Sequence, residues 1–282
     1  MKILITGKNG QLGSELHDLK ETYPQYQMVF VDREQMDLSN PIQITAVLEK
    51  EQPNIIVSAG AYTAVDKAET DQELCDAVNH LAVKTMGTWA AENHAKVIHI
   101  STDYVFDGTS SVPLKETDTT APINVYGLTK LKGEEALKVS GADFVIIRTA
   151  WVYSTYGANF VKTMMRLMNE REEIGVVADQ VGTPTYARDL AKAIMTVIEA
   201  KTFISGIYHF SNEGKISWHE FATAVKEIKG YKTKINAIGS DAFSTPAKRP
   251  NFSLLDKTKI KEVYAVKVPD WKDSLAEMLS KI

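Results

Sequence analysis

The stretch KILITGKNGQLGSEL, residues 2–16, joins an apolar run to an amphipathic one through a turn with three glycines. The aliphatic residues of KILIT (2–6) are typical of a buried strand, and the apolar spacing in GSELHDLKE (13–21) is typical of a helix. Gly7, Gly10 and Gly13 lie at the junction. A strand, a glycine turn and a helix in this order predict the beginning of a parallel α/β sheet.

The first half of the chain repeats this alternation of apolar strands and helices. It predicts an α/β fold: a Rossmann-like, doubly wound parallel sheet in a dinucleotide-binding domain at 1–153. A smaller C-terminal α/β domain at 154–282 is expected to be mainly substrate-binding, with some segments returning to the first domain. The predicted strands are 2–6, 27–32, 54–61, 96–102 and 144–153, with shorter extended pieces at 174–177, 207–211 and 234–238. The predicted helices are 41–52, 70–94, one beginning near 124, then 159–171, 188–200, 218–229 and 271–281.

Composition excludes several classes of protein. The chain of 282 residues has a net charge of −4, whereas nucleic-acid and membrane-surface binders normally carry a basic excess. Cys75 is the only cysteine, so no intramolecular disulfide forms, and a half-buried helical position is expected for it. With no signal peptide and no long apolar run, a cytoplasmic location is expected.

The glycine turn is suited to a dinucleotide. Without Cβ atoms, its backbone N–H groups can approach a pyrophosphate at the positive end of the following helix. Asp32, 19 residues after Gly13, ends the second strand and can accept hydrogen bonds from a ribose. Arg33 follows it and could hold a 2′-phosphate, so the sequence leaves NADH and NADPH both open.

A tyrosine and a lysine lie four residues apart in NVYGLTKLKGEE (124–135). Tyr126 and Lys130 would share one helix face, but chance predicts about one such pair in a chain of this composition. HISTDYVFDG (99–108) ends a strand with Ser101, Thr102 and Asp103, and ligands of doubly wound sheets lie at the carboxyl ends of strands. Thr102, Tyr126 and Lys130 are therefore expected to converge.

Five motifs in this order resemble the dTDP-4-dehydrorhamnose reductase branch of the extended short-chain dehydrogenase/reductase family. They are STDYVFDG (101–108), APINVYGLTKLKGE (121–134), RTAWVY (148–153), DQVGTPTYARDLA (179–191) and TPAKRPNFSLL (245–255). The resemblance covers the chain from end to end. It implies reduction of the C4 ketone of a dTDP-4-dehydro sugar with NADPH or NADH.

The resemblance also implies roles for residues of this chain. Tyr126 would be the proton donor, Lys130 would lower its pKa and hold the nicotinamide ribose, and Thr102 would hydrogen-bond the ketone or the phenol. The implied substrate contacts are Thr102, Asp103, Trp151 and Arg249. The implied cofactor contacts are Gly7, Gly10, Gln11, Leu12, Gly13, Asp32, Arg33, Asp37, Leu38, Ala61, Tyr62, Thr63, Tyr126 and Lys130.

Other properties of the family carry over less far. Some related reductases use magnesium at a subunit contact, but Glu15 is isolated and Arg188 stands where an acidic partner would be expected, so no metal is predicted. A homodimer is possible. Two rival readings remain: a nucleotide-sugar epimerase or dehydratase of the same fold, and a non-catalytic dinucleotide-binding regulatory subunit. A 4,6-dehydratase needs a second carboxylate beside the threonine, yet Tyr104 follows Asp103.

Overall fold

A computed structural model describes residues 1–282. The longest helix has 14 residues, and none is both long and apolar enough to cross a membrane. The strands are β1 (Lys2–Thr6), β2 (Gln27–Val31), β3 (Ile55–Ser58), β4 (Lys96–Thr102), β5 (Asp143–Thr149), β6 (Val152–Tyr153), β7 (Glu173–Val177), β8 (Val181–Gly182), β9 (Thr185–Tyr186), β10 (Gly206–His209), β11 (Ile216–Ser217) and β12 (Lys234–Ile238). The helices are α1 (Gln11–Leu19), α2 (Pro41–Glu51), α3 (Val65–Ala68), α4 (Gln72–Asp76), α5 (Ala82–Glu92), α6 (Val125–Lys138), α7 (Phe160–Glu170), α8 (Ala187–Glu199), α9 (Trp218–Lys229), α10 (Thr258–Tyr264) and α11 (Trp271–Leu279).

The predicted parallel α/β sheet is confirmed. It has six strands in the order β2-β1-β3-β4-β5-β10, and every pairing is parallel. The chain leaves β1 toward β2 on one side and returns to β3 on the other, so the strand order reverses at β1. Such a reversal opens a crevice at the carboxyl ends of the two inner strands, where doubly wound sheets bind ligands.

Both faces of the sheet are covered because alternate residues of each strand point in opposite directions. Ile3 and Ile5 pack in a core of 23 buried residues that includes α1 and α8, whereas Leu4 packs in a core of 15 with α2 and α5. The late elements β10, α8 and α10 thus belong to the same layers as the first half of the chain. A separate core of 16 buried residues lies among α7, α9 and α11, beside the parallel pair β7 and β12.

Two predicted elements are interrupted. The predicted strand 144–153 is wrong at its end: β5 stops at Thr149, and β6 pairs with β9 instead of the main sheet. The cause is Trp151, whose φ of 49° takes the backbone out of the extended conformation. The predicted helix 70–94 begins at Gln72 and contains a π-helical segment at Ala77–Leu81 between α4 and α5. Cys75 is fully buried there, not half-buried.

Candidate active site

The glycine turn is built so tightly that side chains cannot enter it. Gly7 has a φ of 74°, and a Cβ on Gly13 would lie 2.1 Å from the Gly7 carbonyl oxygen. Gly10 is the N-cap of α1, and no side chain caps the first N–H groups of that helix. The turn therefore presents bare backbone and uncapped amides, which is a suitable environment for phosphate oxygens.

This turn lies against the larger of two adjoining cavities at the carboxyl edge of the sheet. The larger, here called the main cleft, has a volume of about 580 Å³, and the smaller, called the side pocket, about 370 Å³. Gly7, Gly60 and Ala61 line both, so the two lie on either side of the glycine turn. Of the predicted site residues, the main cleft brings together Gly7, Gly10, Gln11, Leu12, Gly13, Ala61, Thr63, Thr102, Asp103, Tyr126, Lys130 and Trp151. The side pocket adds Asp32, Arg33, Asp37, Leu38 and Tyr62.

Asp32 is fixed at the mouth of the side pocket by backbone amides. Its Oδ1 accepts hydrogen bonds from the N–H groups of Glu34 (3.0 Å) and Gln35 (3.3 Å). The side chain of Arg33 is 77% exposed, and its Nε lies 3.7 Å from Asp37 Oδ2. A carboxylate and an exposed guanidinium thus stand side by side at this pocket, and both ribose and 2′-phosphate recognition remain available.

The start of α6 is locked against the end of β4, and this places Tyr126 in the cleft. Asn124 caps the helix by accepting a hydrogen bond from Gly127 N–H (2.7 Å). A Cβ on Gly127 would lie 2.1 Å from the Tyr104 carbonyl oxygen, so the helix can pack this closely only with glycine there. The ring of Tyr126 meets that of Tyr104 edge to face, with 5.6 Å between centroids.

The phenol of Tyr126 keeps its proton firmly. Burial raises its pKa above the usual 10, and hydrogen bonding to Thr102 opposes the rise only in part. The expectation that Lys130 lowers this pKa is not met by the chain alone, because burial outweighs the favourable contacts. The Lys130 ammonium donates instead to the Ile100 carbonyl oxygen (2.6 Å) and lies 3.2 Å from His99 Nε2. Its own pKa is lowered to about 8 by burial.

Thr102 and Asp103 form a small polar patch beside Tyr126. The Thr102 hydroxyl donates to Asp103 Oδ1 (3.0 Å) and accepts from Tyr104 N–H (3.2 Å). Asp103 is 1% exposed, and its Oδ2 has no hydrogen-bond partner. Burial raises its pKa to about 6. An unpaired buried acceptor in a cleft is available to a ligand hydroxyl.

Trp151 and Arg249 differ in how close they lie to this patch. Trp151 lines the main cleft and stacks on Trp218 at 3.6 Å between ring centroids. Arg249 lines neither the main cleft nor the side pocket. It holds Asp66 in two hydrogen bonds of 2.8 and 3.0 Å and, with Lys248, lines a separate cavity of about 430 Å³. The sequence-predicted substrate contact at Arg249 is therefore not brought to the cleft.

Below the cleft lies a buried polar cluster that the sequence interpretation missed. Glu134 accepts hydrogen bonds from Arg148 Nη2 (2.7 Å) and Nε (2.9 Å), and from the Ser101 hydroxyl (2.5 Å). All three residues are at most 3% exposed. The cluster ties α6, β4 and β5 together behind Lys130. The available signal was spacing, since Glu134 lies four residues after Lys130 on the same helix face.

Glu15 is also engaged within the chain. Its carboxylate accepts a hydrogen bond from the Ser154 hydroxyl (2.6 Å) and lies 3.4 Å from Arg188 Nη1. The positive charge that faces the Glu15 carboxylate is therefore the Arg188 guanidinium. No group of three histidine, cysteine or acidic side chains is arranged to hold a metal ion.

A family model described as the RmlD substrate binding domain matches residues 1–282. The chain belongs to this family. Among the relatives of this RmlD-family chain, a dTDP-4-dehydrorhamnose reductase of Burkholderia thailandensis is 41% identical over 96% of each chain. The enzyme of that name from Escherichia coli K12 is 41% identical over 100% of this chain and 98% of its own.

Solved structures agree with this membership. A dTDP-4-dehydrorhamnose reductase of Bacillus anthracis in complex with NADP is 37% identical, with a TM-score of 0.95 over 100% of this chain and 99% of its own. A UDP-glucose 4-epimerase of Thermus thermophilus in complex with NAD has a TM-score of 0.84 over 99% of this chain and 98% of its own, but 19% identity, and shows the fold alone.

Proposed function

We propose that this protein is an NAD(P)H-dependent oxidoreductase. It reduces the C4 ketone of dTDP-4-dehydro-β-L-rhamnose to give dTDP-β-L-rhamnose, the last step in the biosynthesis of that sugar nucleotide. The observation that carries the proposal is that Thr102, Tyr126 and Lys130 line the same cleft as the glycine turn. Full-length relatives at about 40% identity carry the name of this reductase.

The residues present fit a dinucleotide. Gly7, Gly10, Gln11, Leu12 and Gly13 would hold the pyrophosphate, because all five line the cleft, the first turn of α1 has no side-chain cap, and a Cβ at Gly13 would fill the turn. Asp32, Arg33, Asp37 and Leu38 would flank the adenosine, and Ala61, Tyr62 and Thr63 would contact ribose and phosphate. The NADP complex of the Bacillus anthracis relative and the exposed Arg33 support NADPH as the first cofactor to test. When bound, the reduced nicotinamide supplies the hydride.

The side chains of the cleft supply the proton. Because the pKa of Tyr126 is raised, its hydroxyl is protonated at neutral pH and can donate to the developing alkoxide. The Thr102 hydroxyl beside it would stabilise the resulting phenolate by turning its proton from Asp103 Oδ1 to the phenolate oxygen. The Lys130 ammonium adds positive charge at the wall of the cleft and would hold the nicotinamide ribose through its remaining N–H.

The sugar would lie between Asp103 and Trp151, where an unpaired carboxylate oxygen and an aromatic face are available. The domain division stays a prediction: residues 1–153 with some later segments for the dinucleotide, and 154–282 mainly for the substrate, to which Asp103 and Trp151 of the first part would also contribute. The predicted substrate contact at Arg249, the predicted homodimer and the predicted cytoplasmic location all stay predictions. Arg249 would bind the nucleotide diphosphate in the neighbouring cavity after exchanging Asp66 for phosphate.

The test follows NADPH absorbance after addition of dTDP-4-dehydro-β-L-rhamnose to the purified protein. We expect stoichiometric oxidation and a product whose NMR spectrum is that of dTDP-β-L-rhamnose. Absence of oxidation by folded, cofactor-binding protein would overturn the proposal. Copurified NAD with no net consumption of reduced cofactor would instead identify an epimerase.

A further inference from the structure

The Lys130 ammonium is held by two acceptors in a fully buried position. The residue is 2% exposed, and its Nζ lies 2.6 Å from the Ile100 carbonyl oxygen and 3.2 Å from His99 Nε2. His99 in turn lies 3.1 Å from the Ser58 hydroxyl through Nδ1, and both residues are at most 1% exposed. A continuous chain of contacts thus runs from β3 through β4 to the cleft.

The chemistry of lysine fixes the direction of every hydrogen bond in this chain. An ammonium has three N–H donors and no acceptor, so His99 Nε2 must offer its lone pair. The imidazole is then neutral and carries its proton on Nδ1, which donates to Ser58 Oγ. Burial and the neighbouring Lys130 charge both lower the pKa of His99, in agreement with a neutral ring.

The other groups around the ammonium leave this assignment unchanged. From α6, the Glu134 carboxylate favours the charged form of Lys130, and it is itself ion-paired with Arg148 of β5. From α4, the Cys75 thiol faces the same region, and burial raises its pKa, so it stays neutral. Two of the three N–H groups of Lys130 are therefore bound within the chain, which leaves one for a ligand in the cleft.

We propose that His99 is a positioning residue, which accepts a hydrogen bond from Lys130 and fixes its ammonium at the cleft wall, while Ser58 fixes the tautomer of the ring. The proposal rests on the proposed function for its catalytic consequence, though not for its geometry. It assigns a role in the reaction to a buried strand histidine that touches neither cofactor nor substrate.

Replacing the imidazole by phenyl removes the acceptor while keeping a buried ring. In His99→Phe the buried ammonium loses a hydrogen-bond acceptor, so the pKa of Lys130 should fall from about 8 by about one further unit. His99→Gln offers an amide oxygen as an acceptor, so the pKa of Lys130 should return most of the way to its value of about 8 in the unmodified protein. Ser58→Ala should produce a smaller shift in the same direction as His99→Phe.

The measurement is NMR titration of protein carrying ¹³C-labelled lysine, with the Lys130 signal assigned from Lys130→Met. His209→Phe is the matched control: His209 is also a fully buried strand histidine, but its Nδ1 contacts the Leu114 carbonyl oxygen. We expect the Lys130 titration to move in His99→Phe and not in His209→Phe. No movement in His99→Phe, or equal movement in both, would overturn the proposal.

Two further readouts separate this inference from the proposed function. In the unmodified protein, ¹⁵N NMR of His99 should show a protonated Nδ1 and an unprotonated Nε2; the reverse tautomer would overturn the proposal even if no variant folds. With the reductase assay, the alkaline limb of kcat should move to lower pH in His99→Phe and stay in place in His209→Phe. Failure of the assay with the expected titration intact would refute the reductase and leave the positioning role standing.

Discussion

Tyr126 is a phenol whose proton is held by burial at the wall of a cleft. Because its hydroxyl carries a proton at neutral pH and is hydrogen-bonded to Thr102 in the cleft, Tyr126→Phe should lower kcat by roughly 10²–10⁴-fold. NADPH affinity should stay within about twofold, since phenylalanine keeps the ring. Steady-state kinetics and fluorescence titration of NADPH measure the two effects.

Tyr23→Phe is the control for this substitution, because Tyr23 stacks on Tyr26 away from the cleft. Its kcat should equal that of the unmodified protein. Unaltered turnover in Tyr126→Phe would show that the proton comes from elsewhere.

Asp103 predicts a pH dependence of stability. Its pKa is raised from 3.8 to about 6, so its contribution to stability is fully present below pH 3.8 and is lost as the pH rises through 6. Asparagine does not titrate. The free energy of unfolding of Asp103→Asn, measured relative to that of the unmodified protein, should therefore rise by about 3 kcal/mol when the pH is raised from 3.5 to 7.5.

Urea unfolding at the two pH values checks this. The Thr109 backbone amide lowers the pKa of the exposed Asp107, so the Asp107 carboxylate is stabilising above pH 3.8. Relative to the unmodified protein, Asp107→Asn should therefore lose free energy of unfolding over the same rise in pH. A difference between Asp103→Asn and the unmodified protein that is independent of pH would contradict the raised pKa.

The junction of β1 and α1 allows a prediction at the level of elements. A Cβ on Gly13 would lie 2.1 Å from a carbonyl oxygen, so Gly13→Ala must push the turn open. We expect a loss of about 1–3 kcal/mol in free energy of unfolding. We also expect at least tenfold weaker NADPH binding, because the amides no longer face the pyrophosphate. Calorimetry and fluorescence titration measure these.

Gly206→Ala is the matched control, since a Cβ there meets its nearest neighbour at 3.5 Å, which is ordinary van der Waals contact. Binding of NADPH by Gly206→Ala should be unchanged. Equal binding by Gly13→Ala and the unmodified protein would show that the turn does not hold the pyrophosphate.

Elements with strong local signals could be predicted from the sequence, and those set by tertiary contacts could not. The strand at residues 2–6 and the helix at 218–229 follow from β-branched content and from a Ser217–Glu220 capping box. The break at Trp151 has no local signal, because left-handed tryptophan is unfavourable and is stabilised here by stacking on Trp218. The convergence of Thr102, Tyr126 and Lys130 on one cleft could be predicted from the end of a strand and the start of the next helix, but the pairing of Lys130 with His99 depends on how α6 meets β4.

At the scale of the whole molecule, cofactor binding should stabilise the protein against heat. A ligand that binds only the folded state at 100 times its Kd adds about 2.7 kcal/mol, which corresponds to a rise of several degrees in Tm. We expect this rise with NADPH in differential scanning fluorimetry, and a smaller one with Gly13→Ala at the same concentration. A Tm that does not respond to NADPH or NADH would contradict dinucleotide binding.

The position of β10 at the edge of the main sheet has a consequence for biosynthesis. β10 pairs along β5, and about 60 residues separate the two in the chain. On the ribosome, β5 therefore emerges with one edge exposed, and the sheet is completed only after β10 has left the exit tunnel. Nascent chains stalled between these two strands should depend on chaperones to stay free of aggregates, whereas chains released after α10 should not.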